Sequence, residues 1–385
     1  MMSAAKLTLL NPSPYARGGP IVTPWEPIAT AGSFDPKNVT VFYDGRKMPT
    51  QVDRLDPDDP SRDELVFSVP ELLSTSNEDN YQTESGYATV REGKNDEPVQ
   101  VWVDQQYTGV KLGNGLLEIW INTDAASPRP DHKNDKWFGG AATSVQLDGH
   151  EILDVVGVHG GFGAYGHHHE IRAMQLDRVH LVRPPWNEEG SVDQKLFNRN
   201  WRTVSAVAGP VRATATIASD PFDYEYKDAV GKELSFKCSV YRAISLYPGQ
   251  DWILEEVWLK AIPGGGKKPS LFWFVPGYFM MTEMSFYPDK FRYPNHPGWF
   301  VITAPDEENQ GYGFATDSLA GAIWHPPLDY PDGRSQHRSF SWELGATRCA
   351  RCVHLFRRHT NRLGISDAIG KLWYSQAFKP VRAKL

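Results

Sequence analysis

Three consecutive histidines occupy the centre of GAYGHHHEIR, residues 163–172. The ordinary pKa of histidine lies near neutral pH, so this side chain serves as a general acid or base and as a metal ligand. We expect the stretch to form a strand, in which alternate side chains point to opposite faces. One face carries Tyr165, His167 and His169, and the other carries His168, Glu170 and Arg172. The alternation selects the two outer histidines as candidates and sets His168 apart from them.

The outer histidines and the tyrosine beside them could remove a weakly acidic proton from a carbon next to a carboxylate. This reaction needs a base that titrates near neutral pH and an acid that protonates the leaving oxygen. His159 precedes them in GVHGGFGAYG, residues 157–166, where five glycines would allow a sharp bend or the close approach of a ligand. The predicted catalytic side chains of this segment are Tyr165, His167, His169 and His159.

Proton abstraction of this kind also needs a cation that neutralises the carboxylate. Arginine suits this role because its planar guanidinium pairs with both carboxylate oxygens. Arg172 points to the wrong face of a regular strand, so we assign it to substrate binding. Arg242 in VYRAISLY completes the predicted catalytic set from another strand, and Arg202 in NRNWRT is the alternative.

The same segment offers ligands for a divalent metal ion. Two histidines at i and i+2 on one strand face have a spacing that is common among zinc ligands. His167, His169 and Glu170 are the predicted metal ligands, for Zn²⁺, Mn²⁺ or Ca²⁺. Proton transfer by the histidines alone and metal-assisted chemistry both stay open.

Two further motifs suggest metals but favour simpler readings. Cys349 and Cys352 form a CxxC pair close to His354, yet no second CxxC exists and the run RCARCVHLF is typical of a strand. The acidic stretch 51–70 lacks the glycine and glutamate that an EF-hand needs in register. We expect ordinary strand cysteines in the first case and an acidic turn between two strands in the second.

Composition excludes several classes of partner. The chain has 385 residues, of which 40% are hydrophobic and 12% aromatic, enough for a large core. The net charge of −7 argues against a nucleic-acid partner, and no run of about 18 apolar residues could span a membrane. The N-terminal segment lacks the basic and apolar regions of a secretory signal, and there are only 3 cysteines. We therefore expect a cytoplasmic protein.

Short segments rich in β-branched and aromatic residues recur between turn signals along the chain. In LLEIWINT, Leu117, Ile119 and Ile121 share one face, the pattern of a half-buried strand. Helical patterns are confined to 70–76 and 364–378. The sequence thus predicts an all-β fold of antiparallel strands.

A polar stretch near residues 75–100 favours a domain boundary. We expect a small N-terminal β module over residues 1–95 and a large antiparallel β-supersandwich over residues 96–385.

Four segments follow one another in a recognisable order after residue 100: VKLGNGLLEIWINT, FGGAATSVQLDGHEILDV, VAGPVRATATIAS and ELSFKCSVYRAISLYPGQDWILEEVWLKA. This succession resembles the β-supersandwich of carbohydrate-active proteins, which includes the galactose mutarotase-like group and the rhamnogalacturonan exolyase-like family. The latter also begins with a small β module. The resemblance covers about residues 100–300. It implies a carbohydrate-active enzyme, in first place a lyase that cleaves a glycosidic bond by His/Tyr acid–base chemistry.

Aromatic side chains would complete a sugar site, because flat rings pack against the C–H surfaces of pyranoses. The predicted substrate-binding residues are Trp137, Trp186, Arg172, His296 and His325. The expected partner is a small-molecule saccharide or glycoside, with homo-oligomerisation open.

Three other functions stay open. A glycoside hydrolase would need two carboxylates that flank the bond, such as Glu170 with Glu255 or Glu256. A mutarotase-like epimerase would use a histidine acid and a carboxylate base. A non-catalytic sugar-binding or assembly module would use the groove of the sandwich alone.

Overall fold

A computed structural model of the chain describes a large, strand-rich part of it. The described residues are 4–12, 17–72, 86–95, 97–124, 139–140, 142–152, 178–181, 193–195, 200–227, 232–266, 272–275, 278–281, 285–287, 298–303, 311–317, 319–328, 337–346, 349–360, 362–378 and 380–385. Statements about the structure below refer to these residues.

The elements follow one another along the chain in three stretches. The first contains β1 (Ala4–Leu10), β2 (Arg17–Pro24), α1 (Trp25–Gly32), β3 (Val39–Tyr43), β4 (Arg46–Met48), β5 (Thr50–Arg54), a 3-10 turn (Pro60–Arg62), β6 (Asp63–Leu72) and β7 (Gly86–Glu92). The second contains β8 (Trp102–Gln106), β9 (Gly109–Gly113), β10 (Leu117–Asn122), β11 (Ala142–Leu147), β12 (His150–Glu151), β13 (Arg178–Leu181), β14 (Asp193–Lys195), β15 (Trp201–Ala208), β16 (Ala213–Ser219), β17 (Phe222–Lys227), β18 (Glu233–Leu246) and β19 (Trp252–Gly266). The third contains β20 (Phe272–Val275), β21 (Tyr278–Met281), β22 (Ser285–Tyr287), β23 (Trp299–Thr303), β24 (Gly311–Thr316), β25 (Leu319–Leu328), β26 (His337–Ala346), β27 (Cys349–Arg357), α2 (Arg362–Leu372), a π-helical turn (Trp373–Phe378) and β28 (Arg382–Lys384).

These strands form five sheets in the described part of the chain. Two consist of strands of the first stretch, joined in one of them by β28, in the orders β28-β1-β7-β3-β4 and β2-β6-β5. A third has the order β12-β11-β10-β9-β8, and a fourth has the order β14-β13-β20-β26-β21 with β25 on β26. The largest contains nine strands, β15-β16-β18-β19-β27-β24-β23-β22 with β17 on β18. Neighbouring strands pair antiparallel, so the predicted all-β fold is confirmed.

Strand β10 shows why the chain folds this way. Leu117, Ile119 and Ile121 are fully buried on one face, whereas Glu118 and Trp120 on the other face are partly exposed. Apolar side chains at every second position place one face of a sheet in the core. The alternation read from LLEIWINT is therefore confirmed.

The helices agree with the sequence in one place and differ in two. The pattern over 364–378 forms α2 and the π-helical turn, as predicted. Pro70–Leu72 ends strand β6 instead of beginning a helix. Helix α1 was not predicted, because it has eight residues with a proline in its first turn, and it buries Trp25 and Ile28 alone. Neither helix is long and apolar enough to cross a membrane.

The nine-stranded sheet has one face that is covered by α2. Ile365 and Ile369 of α2 are fully buried against Val353 and Leu355 of β27 and Ala315 of β24. Two glycines in β24 make this approach possible, since a Cβ on Gly313 would lie 3.0 Å from Ile369. We call this the helix-covered face.

The other end of the helix-covered face meets the first stretch of the chain. The Arg212 guanidinium, in the turn just before β16, donates to Asp53 of β5 at 2.6 Å and to Glu64 of β6 at 2.5 Å. Gln51 accepts from the backbone N–H groups of Val211 and Arg212 at 2.9 and 3.0 Å. Arg212 is 1% exposed, so this ion pair is buried.

The acidic stretch 51–70 forms a turn between β5 and β6, as predicted. Two of its buried carboxylates bind cations from later in the chain. Asp56 binds Lys260 of β19, and Asp53 binds Arg212. The turn is therefore a contact surface for the nine-stranded sheet.

Strand β28 joins the sheet of the first stretch, where Thr8 of β1 pairs with Lys384. The Thr23 hydroxyl donates to the carbonyl of Ala383 at 3.2 Å. Residues 382–384 thus complete a sheet that also contains residues 86–92. The domain division at 95/96 and the supersandwich topology stay predictions.

Replacing Arg212 with Ala should lower the free energy of unfolding by about 3–5 kcal/mol, because it leaves the buried Asp53 carboxylate without a counter-charge, held only by the Gln51 amide that donates to it at 2.6 Å. Urea unfolding at neutral pH measures this change. Lys371→Ala is the control, since it removes an exposed i,i+4 ion pair with Asp367 and should cost less than about 0.5 kcal/mol. Equal losses in the two variants would contradict the buried pair.

Candidate functional site

Four polar side chains form a continuous chain across neighbouring strands of the nine-stranded sheet, on the face opposite α2. Arg242 of β18 donates from Nε to Glu255 Oε1 of β19 at 2.5 Å. The other carboxylate oxygen, Oε2, lies 2.8 Å from His354 Nε2 of β27, and His354 Nδ1 lies 2.8 Å from the hydroxyl of Tyr312 in β24. We call these residues the charged chain.

The register of the strands explains how the charged chain forms. Ile253 pairs with His354, and Ile244 pairs with Glu255, so all these side chains lie on one face. Glu255 contacts both partners diagonally, Arg242 on the preceding strand β18 and His354 on β27, which is far away in sequence. Most of the other side chains of this face are apolar, and Phe314 packs edge-on against His354 with ring centroids 5.3 Å apart.

The charged chain is desolvated. Its exposed fractions are 1% for Arg242, 2% for Glu255, 3% for His354 and 0% for Tyr312. Burial alone would raise the pKa of Glu255, but Arg242 and His354 lower it to about 2. Glu255 is thus ionised at neutral pH, and its charge is balanced by Arg242.

Each ring nitrogen of His354 has a hydrogen-bond partner, Tyr312 at Nδ1 and Glu255 at Nε2. Burial, together with the charge of Glu255, raises the pKa of the Tyr312 hydroxyl well above its usual value. The hydroxyl therefore keeps its proton at neutral pH. If it donates to His354 Nδ1, the ring proton is on Nε2 and faces Glu255. A Tyr–His–Glu–Arg sequence of donors and acceptors can hold and orient a proton, but Tyr312 itself has no exposed surface.

Arg242 connects the charged chain to a loop. Its Nη1 donates to the carbonyl oxygen of Gly140, which is buried. Gly140 has a positive φ of 77°, and a Cβ there would collide with the indole of Trp201. A side chain is therefore excluded at this point, in the segment that directly follows Trp137 in sequence.

A second group of charges lies on the helix-covered face. Burial raises the pKa of Glu64, an effect that Arg212 opposes and Glu256 increases. Burial would also raise the pKa of Glu256, but Arg351 lowers it and donates to it at 2.7 Å. The two carboxylates keep 16% and 15% of their side-chain surface exposed, and their pKa values shift in opposite directions.

Most of the predicted site residues lie outside the described part of the chain. These are Tyr165, His167, His169, His159, Glu170, Arg172, Trp137, Trp186 and His296. His325 lies in β25, opposite Ser339 of β26. Arg242 is the one predicted catalytic residue whose contacts are known, and it pairs with Glu255 and Gly140. The predicted role of the histidine segment stays a prediction.

The described residues contain no group of three or more His, Cys, Asp or Glu that could hold a metal ion. Cys349 and Cys352 both lie in β27, as predicted. Cys352 is buried, and its Sγ lies 3.8 Å from Thr316 Oγ1. His354 is bound by Glu255 and Tyr312. The predicted ligands His167, His169 and Glu170 lie outside the described residues.

Glu255 and His354 were not predicted as a pair, although their positions in the sequence are unusual for charged or polar residues. Glu255 stands between Ile253 and Val257 on the apolar face of β19, and His354 occupies the same kind of position in RCVHLF. A charged residue in the core-facing register of a buried strand needs a partner. The identity of the partner depends on strand order, which the sequence did not reveal.

Comparison with known proteins gives a likeness of fold. The sequence matches no protein-family model and no curated protein. The chain is similar to a solved protein in glycosyl hydrolase family 38 from Enterococcus faecalis, with 8% identity and a TM-score of 0.50 over 99% of this chain and 47% of that one. An alpha-mannosidase from Enterococcus faecalis V583 shows 9% identity and a TM-score of 0.47, over 99% and 46% of the two chains. A heparinase III shows 10% identity and a TM-score of 0.31, over 71% and 37%.

The first of these likenesses supports a shared fold and nothing finer, since identity is very low. The chain spans less than half the length of the solved proteins that it matches.

Replacing Glu255 with Gln should make stability less dependent on acid pH. The pKa of Glu255 is about 2 in the folded protein and 4.5 in an ordinary glutamate. A lowered pKa stabilises the fold fully above the ordinary value, and this contribution of about 3 kcal/mol is lost as the pH falls toward the folded value. Urea unfolding between about pH 7 and pH 3 should show a wild-type advantage that shrinks with acid.

The matched control for this experiment is Glu118→Gln. Glu118 pairs with Lys111 at the surface, where both side chains are more than a third exposed. Its substitution should change stability little at any pH. A Glu255→Gln deficit that stays constant with pH would contradict the lowered pKa.

Proposed function

We propose that the chain is a carbohydrate-active protein that acts on a small-molecule saccharide or glycoside. The order of its sequence segments resembles β-supersandwich proteins of this class, and its all-β fold is compatible with that resemblance. The similar solved structure with a TM-score of 0.50 is a protein in glycosyl hydrolase family 38. The proposal rests on these together with the chemistry of the side chains below.

The observation that carries the proposal is the charged chain. A buried carboxylate with two cationic or donor partners is costly in a β core, where apolar side chains would serve equally well. Such groups with displaced pKa values occur most often at functional sites. Arg242 of the charged chain donates to the carbonyl of Gly140. Gly140 follows the predicted sugar-binding residue Trp137 closely in sequence.

The reaction that we propose is a β-elimination on a uronate-containing saccharide. A base takes the proton on the carbon next to the carboxylate, and the electron pair forms a carbon–carbon double bond. The bond from the neighbouring carbon to the glycosidic oxygen breaks, and an acid protonates that oxygen. His167 or His169 would be the base and Tyr165 the acid, with His159 supporting them.

The charged chain would have a positioning role in this reaction. Glu255 and the Gly140 carbonyl hold Arg242 in place, so its positive charge lies beside Gly140. Tyr312 and Glu255 hold His354 in one tautomer. Together they would make this face of the nine-stranded sheet a rigid support for a site, with its charges balanced.

Hydrolysis is the second candidate, and the carboxylates on the helix-covered face favour it. A glycosidase needs a protonated acid and an ionised carboxylate on either side of the bond. The raised pKa of Glu64 and the lowered pKa of Glu256 have the required opposite directions. Both are held by arginines, so this candidate would require a substrate that displaces one of these contacts.

Several finer parts of the proposal accompany the lyase. We place the protein in the cytoplasm, with imported oligosaccharides or glycosides as substrates. A divalent metal on His167, His169 and Glu170 is an alternative to simple acid–base catalysis. A mutarotase-like epimerase and a non-catalytic sugar-binding or assembly module are the remaining alternatives, and the protein could act as a homo-oligomer.

Replacing His167 or His169 with Ala should lower turnover of a uronate oligosaccharide by about 10²- to 10⁴-fold, because general base catalysis contributes that much. The ultraviolet absorbance of the unsaturated product reports the lyase reaction. His168→Ala is the matched control and should keep wild-type turnover, since the strand that we expect here would point this side chain to the other face. Wild-type turnover in both outer variants would refute the assignment.

Release of reducing ends without the ultraviolet signal would select hydrolysis over elimination. In that case Glu64→Gln and Glu256→Gln should each abolish activity, whereas the histidine variants should not.

Elemental analysis of the purified protein tests the metal alternative. If His167, His169 and Glu170 bind a divalent ion, the wild type should contain about one metal per chain, and the double variant His167→Ala/His169→Ala should contain none. A metal-free, fully active wild type would rule the metal out.

A further inference from the structure

The outward face of the sheet β12-β11-β10-β9-β8 carries two tryptophans with charged side chains between them. Trp102 of β8 pairs with Gly113 of β9, which pairs with Glu118 of β10. One step along the strands, Asp104 pairs with Lys111, which pairs with Trp120. These side chains share one face, because the alternate positions hold the buried Leu112 and Ile119.

Both tryptophans lie against glycines of β9. A Cβ on Gly113 would collide with the indole of Trp102, and a Cβ on Gly109 would lie 2.7 Å from the indole of Trp120. The missing side chains let each indole lie low across the strand. Trp102 is 37% exposed, and Trp120 is partly exposed. The result is a broad surface with an aromatic ring at each end of β9.

Polar groups stand between the two rings. Lys111 lies midway between Gly109 and Gly113, with its Nζ 2.5 Å from Glu118 Oε2 and 5.4 Å from the centroid of Trp102. Asp104 accepts from the amide of Gln106 at 2.8 Å on the exposed strand β8. From the rise of a strand, the two glycines are about 14 Å apart, which is enough for a short oligosaccharide.

We propose that this face, the tryptophan platform of Trp102, Lys111, Glu118 and Trp120, binds a neutral glycan chain. Pyranose rings have apolar C–H faces that pack on aromatic rings and hydroxyl edges that need hydrogen-bond partners. The platform offers these in the order ring, polar pair, ring. The choice of a glycan as ligand rests on the proposed carbohydrate function. The residues of the platform are separate from the charged chain and from the histidine segment.

The charge of the face selects neutral over acidic glycans. Lys111 is already paired with Glu118, and the same face also carries Asp104 and the exposed Glu151 of β12. Three carboxylates against one ammonium repel a uronate polymer. The platform would therefore hold a neutral part of a substrate or a neutral polysaccharide.

A second copy of the chain is the competing occupant. Strand β8 is at the edge of its sheet in the described residues, and exposed edges can pair with another molecule. Edge pairing would use the backbone of β8 and would not require the indole of Trp120 on β10. The two occupants thus depend on different groups.

The experiment is affinity gel electrophoresis of the whole protein in gels that contain xyloglucan, galactomannan, mixed-linkage glucan, galactan or polygalacturonate. We expect at least one neutral glycan to retard the wild type and polygalacturonate not to. Trp102→Ala and Trp120→Ala should each weaken binding by about tenfold, and the double variant should abolish retardation. Trp102→Tyr should restore part of the binding, because it keeps an aromatic ring.

Tyr87→Ala is the matched control. Tyr87 is also an exposed aromatic on a sheet, 44% exposed, with Lys6 Nζ 3.5 Å from its ring centroid. This variant should bind like the wild type, and circular dichroism confirms that all variants are folded. Light scattering measures the oligomeric state of each.

The proposal is overturned if no neutral glycan retards the wild type, if the double variant binds as well as the wild type, or if polygalacturonate is preferred. It is also overturned if the tryptophan variants change only the oligomeric state. Because the readout is binding, it does not depend on turnover. Loss of retardation in the tryptophan variants with no enzymatic activity at all would support the platform and remove the proposed enzyme.

Discussion

The arrangement of the described chain depends on one buried cation, the guanidinium of Arg212. Its carboxylate partners, Asp53 and Glu64, come from strands β5 and β6, far from it in sequence. An unpaired charge in this position would cost several kcal/mol, so the sheets of the first stretch can pack on β16 only in the position that brings these groups together. The side chain of Gln51 accepts from the backbone N–H groups of Val211 and Arg212, so a second contact holds β5 in the same position relative to β16. Apolar packing alone would tolerate sliding that this contact does not.

The nine-stranded sheet thus carries buried charge on both faces, with different relations to solvent. On the helix-covered face, Glu256 and Arg351 are partly exposed, and they join a network that connects separate parts of the chain. On the opposite face, Glu255 and His354 are sealed among apolar side chains. The first network can exchange partners with water, whereas the second is closed to water. A catalytic role would therefore use the two faces differently, one for proton exchange and one for position.

Period-two patterns predicted the strands well, because the burial of alternate side chains is a local property. LLEIWINT became β10 with the expected face in the core, and 364–378 became α2 and its π-helical turn. The charged chain could not be predicted, because Glu255 and His354 are 99 positions apart and meet only through the order β18-β19-β27-β24. Helix α1 was not predicted, because eight residues that include a proline are too short for a helical period to show in the sequence. The histidine segment, on which the predicted site was founded, lies outside the described residues.

The pairing of β1 with β28 has a consequence for how the protein is made. Of the two neighbours of β1, β28 is synthesised long after β1 itself. Until then β1 pairs with β7 on one side and presents free backbone groups on the other. Its sheet is therefore finished after the nine-stranded sheet, against the usual order in which early segments mature first. During that interval a nascent chain would have one edge of β1 without a pairing strand.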